Sequence, residues 1–596
     1  MTLECTAVGL LSERDVDLTM PWFSNKSRYA PRPSNTVKPL INGEHTFEAL
    51  QKAIEKATRS IEIITWGFDP SMRLKPPLGP RLGELLRQKA QAGVAVRILV
   101  WKNGLANFKE NNIIGDGLLG SGGGSAGAGS GMGSTSARDA GSGGDTPYGS
   151  AISGTGSAGI KTGDSEARAF NRDWFATKHE KLSFRTRDFG LLPVRLLIAY
   201  EMLPFIGTQK AAFLATASHH QKMVLIDYEA PDSATGFVMG HNMLRHYWDR
   251  DAHECSDKLR LGFGPWQDLS AQMWGEVLWC LNENFSTAWG KAQPWIGSDQ
   301  PLPESRKGIK PQVFAKPADG CMAQICRTQP EEGDRSIEDL YRVVLANARK
   351  YVYIENQYFR HTELAMHLRE LYRKLKAGGW KEELYVFVVT NVPDGHGRLN
   401  TYDTLNALGK AEQMPKINEQ QQGKNPDSKE TKEIREHDLE GMNIHVCTLC
   451  SSGWTQEQPS VMWGGGAGPM GLPSASVYAP PPQVVYRDIY VHSKLLLIDD
   501  KFFTLGSANF NKRSMENDSE LNIAVPSPKL TKEWRQKLWR LHTKQEPGDD
   551  IEKEFGNWGK LMRDNKQIQE DKENPKPLKA PLIEFFDNAT SGWAID

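Results

Sequence analysis

Two short stretches of this 596-residue chain carry residue types that suit phosphoryl chemistry. The first is Ser218-His219-His220-Gln221-Lys222-Met223-Val224-Leu225-Ile226-Asp227, followed by Met239-Gly240-His241-Asn242. The second is Val491-His492-Ser493-Lys494-Leu495-Leu496-Leu497-Ile498-Asp499, followed by Gly506-Ser507-Ala508-Asn509. Each reads H-x-K-x4-D and then an asparagine. An imidazole can attack phosphorus, and a second can protonate the leaving alcohol. Lysines and amides stabilise the charge that develops on the phosphoryl oxygens. One copy supplies half of that apparatus, so the two are expected to share a site.

The spacing within each motif suits a strand, where residues i and i+2 share a face. His220 then points with Lys222, and His492 with Lys494. The apolar run after each lysine anchors the strand in a core and holds the pair rigid. The motifs nominate His220, Lys222, Asp227, His492, Lys494 and Asp499 as the catalytic set. Within it, Asp227 and Asp499 sit an odd number of positions beyond their lysines. They are expected to face away from the phosphate, in a structural, hydrogen-bonding role. Asn242, Ser507 and Asn509 are the expected substrate-binding residues.

The chain holds its own controls. His542-Thr-Lys544 through Asp549 also fits H-x-K-x4-D. Its spacer contains Pro547-Gly548, a turn rather than a buried strand. His179-Glu-Lys181 lacks the aspartate. Gly123-Gly-Ser125-Ala-Gly127 fits the serine-hydrolase elbow but lies in low-complexity sequence without the strand and helix that elbow needs.

The elements that must position the motifs also occur twice. His45–Ala57 reads as a helix, Ile61–Trp66 as a strand, Arg81–Ala92 as a helix and Val94–Trp101 as an apolar strand. After the midpoint, Ile337–Ala348, Tyr351–Ile354, Leu364–Ala377 and Leu384–Thr390 repeat that order. Strands apolar on both faces between helices imply a parallel sheet covered on both sides. The expected fold class is therefore α/β: two similar α/β/α halves, with the active site at their interface. Residues 35–320 form the first half and 321–545 the second, with extensions at 1–34 and 546–596. A Gly/Ser-rich stretch at 115–163 cannot bury enough apolar surface to order itself. Residues 414–438 and 451–482 read as long loops.

Composition narrows the function. The formal net charge is −1, so no global basic field attracts nucleic acid, and no nucleic-acid partner is expected. Seven sparsely placed cysteines do not form a disulfide framework, and Cys447-Thr-Leu-Cys450 is a lone CxxC. The N-terminus lacks a basic segment followed by an apolar core. The longest apolar run, Leu191–Gly207, is broken by Pro193, Arg195, Glu201 and Pro204 and reads first as a buried element, second as an apolar surface that touches lipid.

HHQKMVLID and YVHSKLLLIDDKFFTLGSANFNKRSM resemble the two signature motifs of the phospholipase D superfamily. Tyr353-Ile-Glu-Asn-Gln-Tyr-Phe359 is similar to a segment of its phospholipid-cleaving members, and Trp539-Arg-Leu-His542 to a W-x-x-H near their end. The resemblance spans roughly 35–112, 170–290 and 324–542. It implies a duplicated phospholipase D fold and a phosphohistidine intermediate. It makes His220 the nucleophile and His492 the general acid and base, and requires no metal and no cofactor. It places histidine-orienting carboxylates at Glu520 and Asp251. Met239-Gly240 departs from a usual pair of glycines and sets a methionine near the phosphate-binding turn. The N-terminal segment and the size resemble bacterial type VI secretion effectors. That resemblance implies a monomer exported without a cleaved signal, a membrane phospholipid substrate, and secretion-spike and immunity partners. A cardiolipin-synthase-like transferase and a nuclease of the same superfamily are the alternative readings.

Overall fold

The computed structural model describes residues 21–102, 162–187, 217–297, 300–315, 320–393, 395, 397–424, 442–454, 460–467, 473–478 and 482–590. The Gly/Ser-rich stretch, except its last two residues, and the run Leu191–Gly207 lie outside them. The helices and strands expected ahead of each motif are present. In the first half they are Asn42–Lys56, Ser60–Thr65, Leu82–Gln91 and Ala95–Trp101. In the second they are Ser336–Leu345, Tyr351–Asn356, Thr362–Ala377 and Leu384–Val389. Every residue of Ser60–Thr65 and of Leu384–Val389 is buried, which is why these strands read as continuous apolar runs.

The two halves repeat one strand order. In the first, Leu182–Arg187, Ala95–Trp101 and Ser60–Thr65 are parallel neighbours. Met223–Ile226, Thr235–Met239, Leu269–Gly275 and Arg32–Ile41 then follow, each antiparallel to the last. In the second, Met442–Trp454, Leu384–Val389 and Tyr351–Asn356 are parallel, and Lys494–Ile498, Phe502–Gly506, Glu520–Val525 and Cys321–Gln329 are antiparallel. The expected all-parallel sheet is thus a mixed one. Each motif strand returns through a short turn that has no room for a crossover helix. The halves join edge to edge, Arg32–Ile41 against Cys321–Gln329. Along the motif strands, Met223, Leu225, Leu495 and Leu497 enter an apolar cluster shared by both halves. The alternate residues Val224 and Ile226, or Leu496 and Ile498, enter a cluster of their own half.

Some boundaries differ from those expected. Pro415–Lys424 is helical, and the expected loop at 451–482 carries the paired strands Ser460–Ala467 and Pro473–Tyr478. Residues beyond 545 belong to the second half. There the helix Ile551–Glu570 places Trp558 in the shared core, and Leu582–Glu584 pairs with Cys447–Leu449. Phe23, assigned to the N-terminal extension, is buried in the core of the second half.

Candidate active site

The two motifs begin where strands begin. His220 and Lys222 precede Met223–Ile226, and His492 precedes Lys494–Ile498. Each lysine folds back onto its own motif: Lys222 Nζ donates to the His220 carbonyl at 2.7 Å, and Lys494 Nζ to the His492 carbonyl at 2.5 Å. The backbones then cross between halves. His220 N donates to Ser519 O at 2.9 Å, and His492 N donates to Gln267 O at 2.7 Å. Each motif is therefore fixed to the half that it does not belong to.

The orienting carboxylates follow the same crossing. His220 Nδ1 lies 2.9 and 3.0 Å from the Glu520 carboxylate oxygens, and His492 Nδ1 lies 2.8 Å from Asp268 Oδ2. With Nδ1–H donated to a carboxylate, each imidazole presents Nε2 for chemistry. All four residues share one neighbourhood. Burial and then the lysines of both motifs hold the two imidazoles well below their usual proton affinity. Burial also pushes both carboxyls up, against the pull of the lysines: Asp268 to about 8 and Glu520 to about 7. Glu520 is raised less because the Ser507 and Ser514 hydroxyls donate to it at 2.5 and 2.6 Å. Asp268 Oδ1 accepts from the Leu269 amide at 2.8 Å, and no hydroxyl among the described residues donates to this carboxylate. Burial lowers Lys222 to about 8, opposed by Glu520 and Asp268.

Several expected residues stand elsewhere. Asp251 is a correction: it bonds Asn42 at 2.9 Å and His45 at 3.2 Å and orients neither motif histidine. Asp268 takes that role. The repeat carried the signal for it. Gln267-Asp268-Leu269 and Ser519-Glu520-Leu521 each stand just ahead of, or at the start of, a buried strand, with the middle carboxylate on a histidine. Ser507 holds Glu520 and not a phosphate oxygen. Asn242 is committed at both ends. Its Oδ1 accepts from Trp66 N and Gly67 N at 3.2 Å each, and its Nδ2 donates to Tyr247 Oη at 2.7 Å. That bond sets the Tyr247 hydroxyl 3.5 Å from His492 Nε2, a placement the sequence reading missed. Asn509 Oδ1 is buried without a partner among the described residues and stays available to a ligand. Met239 is fully buried in the core of the first half and does not narrow the turn. Gly240 is needed there, because a Cβ would collide with the Asp268 carboxylate.

Asp227 and Asp499, members of the motif by sequence, take no part in the site. Each sits at positive φ and gathers backbone amides of the helix-to-strand turn. Asp227 accepts from Thr58, Arg59 and Ser60, at 2.7 Å from Arg59. Asp499 accepts from Arg349, Lys350 and Tyr351 at 2.8 Å each. Asp227→Ala leaves three backbone donors without their acceptor, the buried Ser60 amide among them. It is expected to lower unfolding free energy by about 2–4 kcal/mol in urea titrations, while histidine geometry survives. A loss under about 1 kcal/mol would contradict this structural role.

The second-half segment similar to those of phospholipid-cleaving enzymes forms a support under the site. Glu355 accepts from Ser493 at 2.6 Å, Gln267 at 2.9 Å and Tyr353 at 2.5 Å. His542 Nε2 stands 2.8 Å from the same carboxylate. The histidine of the third, discounted match is therefore a buried strut beneath Ser493. Gln357 Oε1 accepts from Lys494 Nζ at 2.9 Å and fixes the lysine head.

Residues 475–542 match the family model described as cardiolipin synthase, phospholipase D-like domain. Rice (Oryza sativa subsp. japonica) phospholipase D alpha 1 is 24% identical over 52% of this chain and 45% of its own length. Arabidopsis thaliana phospholipase D alpha 4 is 21% identical over 87% and 66%. The relationship these matches support is to the phospholipase D superfamily. The chain spans about half to two thirds of the length of the curated relatives it matches. Among solved structures, phosphatidylserine synthase of Haemophilus influenzae Rd KW20 aligns over 91% of this chain and 96% of its own, with 11% identity and a TM-score of 0.43. The phospholipase D family member Nuc of Salmonella typhimurium aligns over 44% and 99%, with 10% identity and a TM-score of 0.21.

Proposed function

We propose that this chain is a phospholipase D-type phosphodiesterase that hydrolyses membrane glycerophospholipids to phosphatidic acid and a free headgroup. The observation that carries this reading is the crossed pair of histidine–carboxylate units beside two buried lysines. His220 Nε2 attacks phosphorus while His492 gives a proton to the departing headgroup oxygen. Water then attacks the phosphohistidine. His492 takes its proton, and the P–N bond to His220 breaks. The buried environment supports these roles. The Asp268–His492 unit, with no hydroxyl donors on its carboxylate, keeps an extra proton more readily than the Glu520–His220 unit. An arriving phosphodiester anion raises the proton affinity of both imidazoles further.

The family description matched over 475–542 favours a second reading, in which a lipid alcohol replaces water as acceptor. Pure protein on vesicles of phosphatidylcholine, phosphatidylethanolamine or phosphatidylglycerol is expected to release headgroup and phosphatidic acid. Cardiolipin forming from phosphatidylglycerol without phosphatidic acid would establish the transferase instead. No headgroup release, with rapid plasmid cleavage, would overturn both. We also propose that the target is the membrane of a rival cell, a reading that rests on the N-terminal segment and the chain's size alone. Expression directed to the bacterial periplasm should then lyse the host, and cytoplasmic expression should not. Equal growth in the two cases would count against it.

A further inference from the structure

The rim beside His492 carries an apolar tip that the chemistry does not use. Between Lys258 and Gly264 the chain forms a short loop. Leu261 is 68% exposed and Phe263 40%. Leu261 adopts a left-handed conformation and Gly262 follows at φ +93°, so the turn is tight. Its base is rigid. Arg260 is buried and donates to Asp249 Oδ1 at 2.9 Å and to Phe263 O at 3.3 Å, and Asp257 caps Leu259 N at 2.9 Å. The fold thus clamps two apolar side chains into water, where they gain nothing in the isolated protein.

The loop is joined to the catalytic centre by aromatic contacts. Phe263 packs on His246 at 5.6 Å between ring centres, His246 on Trp266 at 5.1 Å, and Trp266 on His492 at 5.4 Å. At the foot of the loop, Cys255 lies against Gly453. Charge accompanies these apolar groups. Lys258 and Arg487 are exposed and form no ion pair among the described residues, while Glu254 is held by Arg250 at 3.1 Å. Arg487 pairs across the strands with Ser451, which shares a strand face with Gly453, the residue at Cys255. Asp488 is also exposed, but successive strand residues face opposite sides.

We propose that Leu261 and Phe263, flanked by Lys258 and Arg487, dock the enzyme on an anionic phospholipid bilayer. This rests on the phospholipase reading and gives that site its interface. A substrate phosphate at His492 belongs at the headgroup level of the membrane. Apolar side chains a few rings away then reach the acyl boundary, and the two cations meet acidic headgroups.

The test compares wild type with Leu261→Ser/Phe263→Ser. Flotation uses 1:1 phosphatidylcholine:phosphatidylglycerol vesicles. Turnover is measured on those vesicles and on dihexanoyl forms of the same lipids below their micelle concentration. The variant is expected to lose vesicle turnover by tenfold or more and to stop floating, with monomeric turnover within twofold of wild type. Lys258→Glu/Arg487→Glu should lose the preference for vesicles containing phosphatidylglycerol over pure phosphatidylcholine. Unchanged flotation and vesicle turnover in the Leu261→Ser/Phe263→Ser variant would overturn docking, as would an equal loss on monomeric and vesicle lipid. Absence of turnover by wild type on both substrates would instead refute the phospholipase reading, and flotation would still decide the docking.

Discussion

Replacing either His220 or His492 with Ala lowers headgroup release by about 10⁴-fold or more, a loss of about 5 kcal/mol of transition-state stabilisation. The two variants then differ on a substrate whose leaving group needs no proton. His492→Ala, given phosphatidyl-p-nitrophenol, still has its nucleophile and releases one equivalent of nitrophenol in a burst. Its second step lacks the base that activates water, so an acid-labile phosphoryl adduct accumulates on the peptide containing His220. His220→Ala gives neither burst nor adduct. The reasons lie in the site. Both imidazoles present Nε2 because Glu520 and Asp268 hold their Nδ1 atoms. Of the two units, the one with Asp268 retains a proton more readily, because burial dominates there without the serine hydroxyls that ease Glu520. An adduct found on His492 in the His220→Ala enzyme would reverse the roles. Near-wild-type turnover by either variant would dissolve the shared site.

Much of this was legible in the sequence, and what was not has a physical cause. The strands were visible because they are buried on both faces. Motif residues such as Leu495, Leu496 and Leu497 report that burial directly, with no exposed position among them. The antiparallel return of each motif strand was not visible. Direction depends on whether the next connection is a helix or a turn, and apolar content does not encode it. The lysine and histidine pairs were found because type, spacing and duplication agreed. Their orienting carboxylates were harder. Glu520 and Asp268 act on the opposite half, so local spacing to a motif says nothing about them. Asp251 follows a Trp-Asp-Arg run in the first half, yet it serves Asn42 and His45. Only superposing the repeats, with Gln267 matched to Ser519 by their identical carbonyl bonds to the motif histidines, brings out Asp268. Asn242 was expected at the phosphate because of its glycine-linked position. Its two amide ends are consumed by the strand end at Trp66–Gly67 and by Tyr247, contacts that only the folded sheet creates.

Asp268→Asn separates the observed orienting residue from the expected one. The substitution keeps shape but removes the charge that holds the His492 proton and fixes its tautomer. By analogy with a catalytic aspartate–histidine pair, kcat/KM falls by about 10²–10⁴-fold. Asp251→Asn stays within about twofold. The wild-type profile is a bell. Below about 7 the Glu520–His220 unit takes up a proton and loses its nucleophile, and above about 8 the Asp268–His492 unit loses its acid while Lys222 loses charge. In Asp268→Asn, His492 has no carboxylate to share its proton, and burial and Lys494 lower its affinity unopposed, so the alkaline limb moves to lower pH. Stability moves the other way. Burial pushes the folded Asp268 carboxyl up to about 8 from an ordinary 3.8, so between those values the folded chain binds more protons than the unfolded one. Its contribution to stability is fully present below about pH 4 and is lost as pH rises to about 8. The variant lacks that loss, so its urea midpoint relative to wild type should climb between pH 6 and pH 8 while its turnover remains low. A variant that is both inactive and less stable at pH 8 would mean that Asp268 supports the fold and not the imidazole. Full activity in Asp268→Asn with a deep loss in Asp251→Asn would restore the assignment drawn from sequence.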